Sequence, residues 1–464
     1  MALTAEEYLH RGLENADKGF LEEAIADLTE GIRLDPNDAK TYMIRGYLNS
    51  DLGDKQGAIL DYDQAIYLDS HYALAYGNRG KSKSELGDEQ GAILDYDQAI
   101  CLDPNYAVTY CNRGAAKSNL GDMHGAILDY DQAISLGLNF WLAYYNRGAA
   151  KSGLRDQRGA ILDYDQAIRL EPNFAVAYYN RGAAKGDLGD QRGAILDFNQ
   201  AIRLKPNFAV AYHNRGKSKA GLGDKLGAIL DYDEVICLDP RSAIAYRSRG
   251  LAKSDLGNHQ DAILDYNEAI RLDPRFVWAY SNRGNAKSAL GDKHGAILDF
   301  DQAICLDPND ALAYVNRGLV KSHLGDKKGA ILDFDQAIRL DPNDALAYVN
   351  RGIAFEEIGE MFEAQLDFRK FLSLTGKHDF FRTTHHAFPH FSTHPAPYLL
   401  HRTLQKLTHN FDQFNTLYPI TDTTRQQCRP WKIWEEYRRL AILLHRIGQV
   451  VPRAARGHFG ICTG

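Results

Sequence analysis

The chain has 464 residues, 44% of them hydrophobic and 25% charged, with a formal net charge of −7 at pH 7. That composition supplies a large buried core, and no run approaches the 18 apolar residues that a transmembrane helix needs. The charge is uneven. Residues 379–464 carry eleven Lys and Arg against five Asp and Glu, while the remainder carries 43 against 56, and an acidic array disfavours nucleic acid, whose phosphates call for a basic surface. The six cysteines include no CxxC pair, and the N-terminal MALTAEEYLHRG has no charged leader followed by an apolar stretch. Both features fit a reducing compartment, and the cytoplasm is the expected location.

From Ala5 onward the sequence repeats with a period of 34. Units begin at 5, 39, 73, 107, 141, 175, 209, 243, 277, 311 and 345, with no gaps between them. A representative unit, residues 175–208, reads AVAYYNRGAAKGDLGDQRGAILDFNQAIRLKPNF. Within-unit positions 4, 8 and 20 are Tyr, Gly and Ala in all eleven units, and position 24 is Tyr or Phe in ten, with Leu28 in the first. Position 32 is Pro in eight units, the exceptions being Ser70, Leu138 and Gly376.

Each unit is predicted to be a helical hairpin, because its apolar residues recur at three- and four-residue intervals in two successive blocks. Between the blocks stands Leu-Gly-Asp, as in Leu188-Gly189-Asp190. The Gly is expected to end the first helix in the left-handed conformation, and the Asp to cap the second. Pro206 and its equivalents then stop the second helix. Gly at position 8 and Ala at position 20 let the two helices approach, with the aromatics at 4 and 24 filling the space beside them. One hairpin cannot bury its own apolar face, so neighbours must stack.

This pattern, with Ala at position 27 in eight units, resembles the tetratricopeptide repeat over residues 5–378. The resemblance implies an all-α solenoid, a right-handed superhelix whose first helices line a concave face, and a role as scaffold or peptide receptor. There are two departures. Position 7, usually Leu in that family, is Arg in every unit, and position 11, usually Tyr, is Lys in eight, Lys83 through Lys321.

Position 23 is Asp in every unit, a matching recurrence. It predicts a ladder of ion pairs, such as Arg147 with Asp163, Arg181 with Asp197 and Arg215 with Asp231, formed within a unit or with the next one. The competing reading makes the Arg row a basic track for an acidic ligand.

Candidate ligand contacts are the residues that differ between units on the face formed by positions 2, 5, 9 and 13 of the first helix. The middle units present Tyr145, Tyr179, His213 and Arg247 at position 5 and Lys217 and Asn285 at position 9, with Asn146, Asn180 and Asn214 beside them at position 6. Tyr and Arg are frequent binding hot spots. The carboxylate clamp of some family members is incomplete, since Lys at position 5 and Arg at position 6 are absent, which disfavours a chaperone tail as ligand.

The period is lost after position 378. The eleventh unit degenerates at Phe355, Glu363 and Gly376, as a terminal capping unit does. The basic segment 379–464 holds eight of the sixteen histidines, and His378 stands just before it. Its first part, 379–398, reads as an irregular linker, with a short helix expected at 399–415 and an amphipathic helix at 431–447. The latter could cap the array, meet a partner or an anionic membrane surface, or be poorly ordered. His386, His390 and His394 have helical ligand spacing, but Pro389 and Pro395 interrupt any such helix, so no metal is expected.

No phosphate loop, nucleophile elbow, dinucleotide fingerprint or zinc signature occurs. The repeated Asp and Lys residues run along an axis, whereas catalysis needs groups converging on one point. The expectation is a non-enzymatic scaffold without cofactor that binds a protein or peptide segment. The alternative is a structural or self-assembling rod.

Overall fold

The computed structural model describes residues 3–137 and 140–375. The readings made above for the tail, including the helices at 399–415 and 431–447 and the histidines around 390, lie outside these residues. Twenty-two α-helices, from Ala5–Asp17 to Met361–Thr375, form eleven successive hairpins, and no strand occurs among the described residues. The chain is an all-α solenoid of helix–turn–helix repeats. None of the helices described is long and apolar enough to cross a membrane.

The helices fall into two compact units, Met1–Ala252 and Lys253–Gly464. The first holds hairpins one to seven and most of the next helix, Ala243–Asp255. The second holds the helix His259–Leu272 and hairpins nine to eleven. From Ala5–Asp17 to Lys225–Leu238, and from Val277–Ala289 to Met361–Thr375, each helix packs on its hairpin partner, and the second helix of one hairpin packs on the first helix of the next. First helices of successive hairpins also touch one another, so they form the inner row and the second helices the outer one.

Local chemistry sets the hairpin. At the turn of the second one, Gly53 has φ 93°, and the Asp54 carboxylate accepts a hydrogen bond from the Gly57 amide at 2.8 Å. The same cap recurs at Asp88, Asp122, Asp156, Asp190, Asp224, Asp292 and Asp326. Capping also explains the Gly three residues after the Asp, because a Cβ on Gly57 would sit 2.2 Å from Asp54 Oδ2. The second helix ends two residues before the Pro, as in Gln191–Leu204 ahead of Pro206.

Arg155 occupies the turn position that is Gly in the other ten hairpins, and its φ of 65° is the only positive value of a non-Gly residue among those described. A left-handed conformation costs a side-chain-bearing residue about 1–2 kcal/mol. Arg155→Gly is therefore expected to stabilise the fifth hairpin by about 1 kcal/mol. Chemical denaturation would show it as a higher midpoint, and an unchanged or lower midpoint would contradict it.

Between the two helices of a hairpin, Ala at 20 and the aromatic at 24 are sealed from solvent: Ala160 is 0% and Tyr164 2% exposed. The missing side chain of Gly148 makes room, since a Cβ there would lie 2.9 Å from Tyr164 Cε1. Burial raises the phenol pKa of Tyr62, Tyr96, Tyr130 and Tyr164 above the ordinary tyrosine value.

Candidate functional site

The most heavily engaged polar group of each repeat is the carboxylate at position 23. In the fifth hairpin Asp163 is buried, and Arg147 grips it with a fork, Nε to Oδ2 at 3.0 Å and Nη2 to Oδ1 at 2.5 Å. The same fork joins Arg181 to Asp197 and Arg215 to Asp231. In all of these the two partners belong to one unit.

Two further contacts complete the network, and sequence reasoning assigned neither. Lys151, at the position where the family usually has Tyr, reaches Asp163 Oδ2 at 2.8 Å. Both departures from the family pattern thus converge on one carboxylate. In the first two hairpins Asn15 and Asn49 replace the Lys and donate to Asp27 and Asp61 at 2.9 and 3.0 Å. The remaining Arg nitrogen, Nη1, crosses to position 25 of the preceding hairpin, as from Arg113 to Asp97 at 2.6 Å and from Arg317 to Asp301 at 2.6 Å. Arg215 and Arg283 find Asn199 and Asn267 there instead, each at 2.7 Å. The signal was present in the sequence, because position 25 is Asp in seven units.

Two cations meet two anions at such a junction, so the network is close to neutral and its members are held by each other. The guanidinium also stacks on the Tyr at position 4, with Arg147 Cζ 5.6 Å from the Tyr144 ring centroid. The Arg147 side chain is only 17% exposed. A row of arginines so engaged is poorly placed to grip an acidic ligand, and the basic-track reading loses its donors.

On the inner row, Lys217 and Asn285 are exposed, while Tyr145, Tyr179, His213, Arg247, Asn146, Asn180 and Asn214 are half-buried. Several of these side chains are spent between hairpins. Asn180 Nδ2 donates to the Tyr145 hydroxyl at 3.0 Å, and Asn214 Nδ2 to the Tyr179 hydroxyl at 2.9 Å. The Tyr145 ring packs edge-on against Phe174, with centroids 4.9 Å apart. His213 lies 5.4 Å from Tyr232, and burial, followed by the nearby charges of Lys217 and Arg247, lowers its pKa. Its neutral form is therefore favoured at pH 7.

An open cleft of about 450 Å³ lies where the first helices of hairpins nine and ten begin, lined among others by Asp273, Arg275, Phe276, Trp278, Asp310 and Leu312. Trp278 is 53% exposed. It stands at position 2, a position the sequence reading placed on the ligand face without singling out this residue. Among the described residues no group of His, Cys, Asp or Glu has the geometry to hold a metal ion. Cys101, Cys111, Cys237 and Cys305 are free thiols, and burial pushes that of Cys111 up to about 11.

Comparison with known proteins follows the same lines. A family model described as TPR repeat matches residues 156–189, 254–291 and 323–359. Two described as Tetratricopeptide repeat match 73–106, 107–136, 175–208 and 279–310 in one case and 9–73 in the other. No curated protein matches the chain. Among solved structures, MamA is 28% identical over 36% of this chain and 96% of its own, with a TM-score of 0.34. YrrB, described as a TPR protein with an unusual peptide-binding site, is 22% identical over 40% of this chain and 95% of its own, with a TM-score of 0.37. Yeast Tom70 is 16% identical over 86% and 99%, with a TM-score of 0.39. With its period, its buried Gly–aromatic contacts and the family-model matches along its length, the chain belongs to the tetratricopeptide repeat family.

Proposed function

We propose that this protein is a non-enzymatic scaffold of the cytoplasm that holds a peptide or protein segment along the inner row of first helices. One observation carries the reading. The Arg, Asp, Gly and Ala that repeat in every hairpin are consumed by ion pairs and core packing, whereas two of the residues that change from hairpin to hairpin, Lys217 and Asn285, stand exposed on that inner face. The cleft around Trp278 adds an aromatic anchor of the kind that dominates binding energy. Repeated acids and bases locked to one another along an axis do not make a catalytic centre.

The test is to select peptides from a displayed random library on the immobilised full chain and to titrate the winners. Lys217→Glu in the first compact unit, and Asn285→Ala with Trp278→Ala in the second, which touch exposed side chains, are each expected to weaken the peptides bound by that unit by about tenfold or more, equivalent to about 1.4 kcal/mol. Tyr145→Phe, which removes only a hydroxyl, separates ligand contact from packing. Affinities unchanged in all four variants would remove the inner-row reading.

A further inference from the structure

The outer row carries a feature that the hairpin does not need. Position 22, on the second helix, is Leu in hairpins two to eleven. In the first compact unit Leu60, Leu94, Leu128, Leu162, Leu196 and Leu230 are all close to 70% exposed. The core is built by their neighbours, because positions 20, 23 and 24 are buried and position 21 half-buried. A single exposed Leu is unremarkable, but the same Leu in register along six successive helices is an organised apolar surface.

The surroundings of three of these leucines say what fits them. Residues three, four and seven positions away share a helix face. Around Leu60 that face shows Gln56, Gln64 and the 82%-exposed Tyr67. Around Leu94 it shows Gln90, Gln98 and Cys101, and around Leu128, His124, Gln132 and Ser135. The acid on this face, at position 25, is tied to the Arg of the following hairpin: Asp63 to Arg79, Asp97 to Arg113 and Asp131 to Arg147. Hairpins two to four thus present a stripe of Leu, Gln and Tyr without an unpaired carboxylate, in a chain a quarter of whose residues are charged. In hairpins five and six cations enter the stripe, at Arg158, Arg169, Arg192 and Arg203, and in hairpin seven an acid does, at Glu234.

We propose that the outer faces of the second helices Lys55–Leu68, Glu89–Leu102 and Met123–Ser135 form a self-association surface whose partner is a second copy of this chain. A row of apolar knobs at the repeat spacing is complemented over several hairpins by a row with the same spacing, and a second copy supplies it. A two-fold arrangement sets the same patch against itself. That contact is disfavoured over most of the acidic array by like charges, and it is permitted where each carboxylate of the stripe is neutralised by an Arg of the following hairpin. Amide side chains of Gln on both copies can hydrogen-bond across the contact, and Tyr67 supplies a large amphipathic ring at its edge.

Sedimentation velocity on the full chain, from about 1 to about 100 μM, tests this. The expected result is a monomer–dimer equilibrium, with Leu60→Glu/Leu94→Glu/Leu128→Glu monomeric throughout and circular dichroism unchanged. Leu60→Gln/Leu94→Gln/Leu128→Gln, which adds no charge, should weaken the dimer at least tenfold. Lys217→Glu on the inner row should leave it intact. A wild-type chain that stays monomeric over the range overturns the proposal. So does a dimer that survives both triple substitutions, or one abolished by Lys217→Glu alone.

Discussion

Asp163→Ala is expected to destabilise the fifth hairpin by about 3–5 kcal/mol, the cost of leaving buried charge without its partner. The carboxylate is 3% exposed and accepts from both ends of the Arg147 fork and from Lys151. Its removal strands two cations that are themselves about four-fifths shielded. Arg147 keeps its contact to Asp131, whose side chain is half exposed, so part of the loss is recovered through solvent. Replacing the whole trio, Arg147→Leu with Lys151→Tyr and Asp163→Leu, should recover most of the stability, because well-packed apolar groups often match a buried ion pair. The readout should be local, since a long array need not unfold as a two-state system. Hydrogen exchange of amides in Trp141–Gly153 and Gln157–Leu170 reports that hairpin directly. A single substitution costing less than about 1 kcal/mol, in the range of surface pairs, would mean that the network is effectively solvated.

The second large effect is expected at the buried aromatic. Phe300→Ala should cost about 3–5 kcal/mol, the transfer of the ring plus the cavity it leaves. Phe300 is 0% exposed and packs with Ala296, Val320 and Ile297. Collapse into the gap is limited on one side by Gly284, which has no side chain to extend; a Cβ there would already lie 2.9 Å from the ring. The array supplies its own controls. Tyr stands at this position in six hairpins, so Phe300→Tyr should lie within about 1 kcal/mol of the parent. Leu28 fills it in the first hairpin, where a Cβ on Gly12 would meet Leu28 Cγ at 3.1 Å, so Phe300→Leu should be intermediate. Thermal denaturation in which Phe300→Ala and Phe300→Leu behave alike would argue that the cavity relaxes fully.

Both effects depend on contacts that the sequence announced only in part. The Gly at 8 and the aromatic at 24 are sixteen residues apart, and their constancy pointed to a close approach before any coordinates. The Arg at 7 and the Asp at 23 have the same separation, and their pairing was anticipated by recurrence. The Lys at 11 and the Asp at 25 recur in eight and seven units against eleven for the Arg at 7, and their partners were not anticipated. A residue that repeats in nearly every unit correlates with every other repeated residue, so recurrence alone cannot choose among partners. The inner row shows the opposite difficulty. Tyr145 and Tyr179 stood out as variable aromatics, but their hydroxyls accept from Asn180 and Asn214 of the next hairpin, and that role is invisible in a single unit. Trp278 was passed over because its cleft is assembled from two hairpins.

By itself the sequence determined the hairpin: two helices, a left-handed Gly, an Asp cap, a Pro stop and a Gly–aromatic seam, each governed by interactions inside one 34-residue period and each written in at least eight of the eleven units. What only the tertiary structure decided is how one hairpin meets the next. At that junction Glu89 accepts from Asn119 Nδ2 at 2.6 Å, Gln157 donates to Asp187 at 3.1 Å, and Met123 lies 3.8 Å from where a Cβ of Gly153 would be. Lys55 with Glu85 and Lys327 with Glu357 occupy the same pair of positions. Such contacts depend on the rotation between neighbouring hairpins, which arises from the summed packing of four helices and not from the periodicity of any one of them.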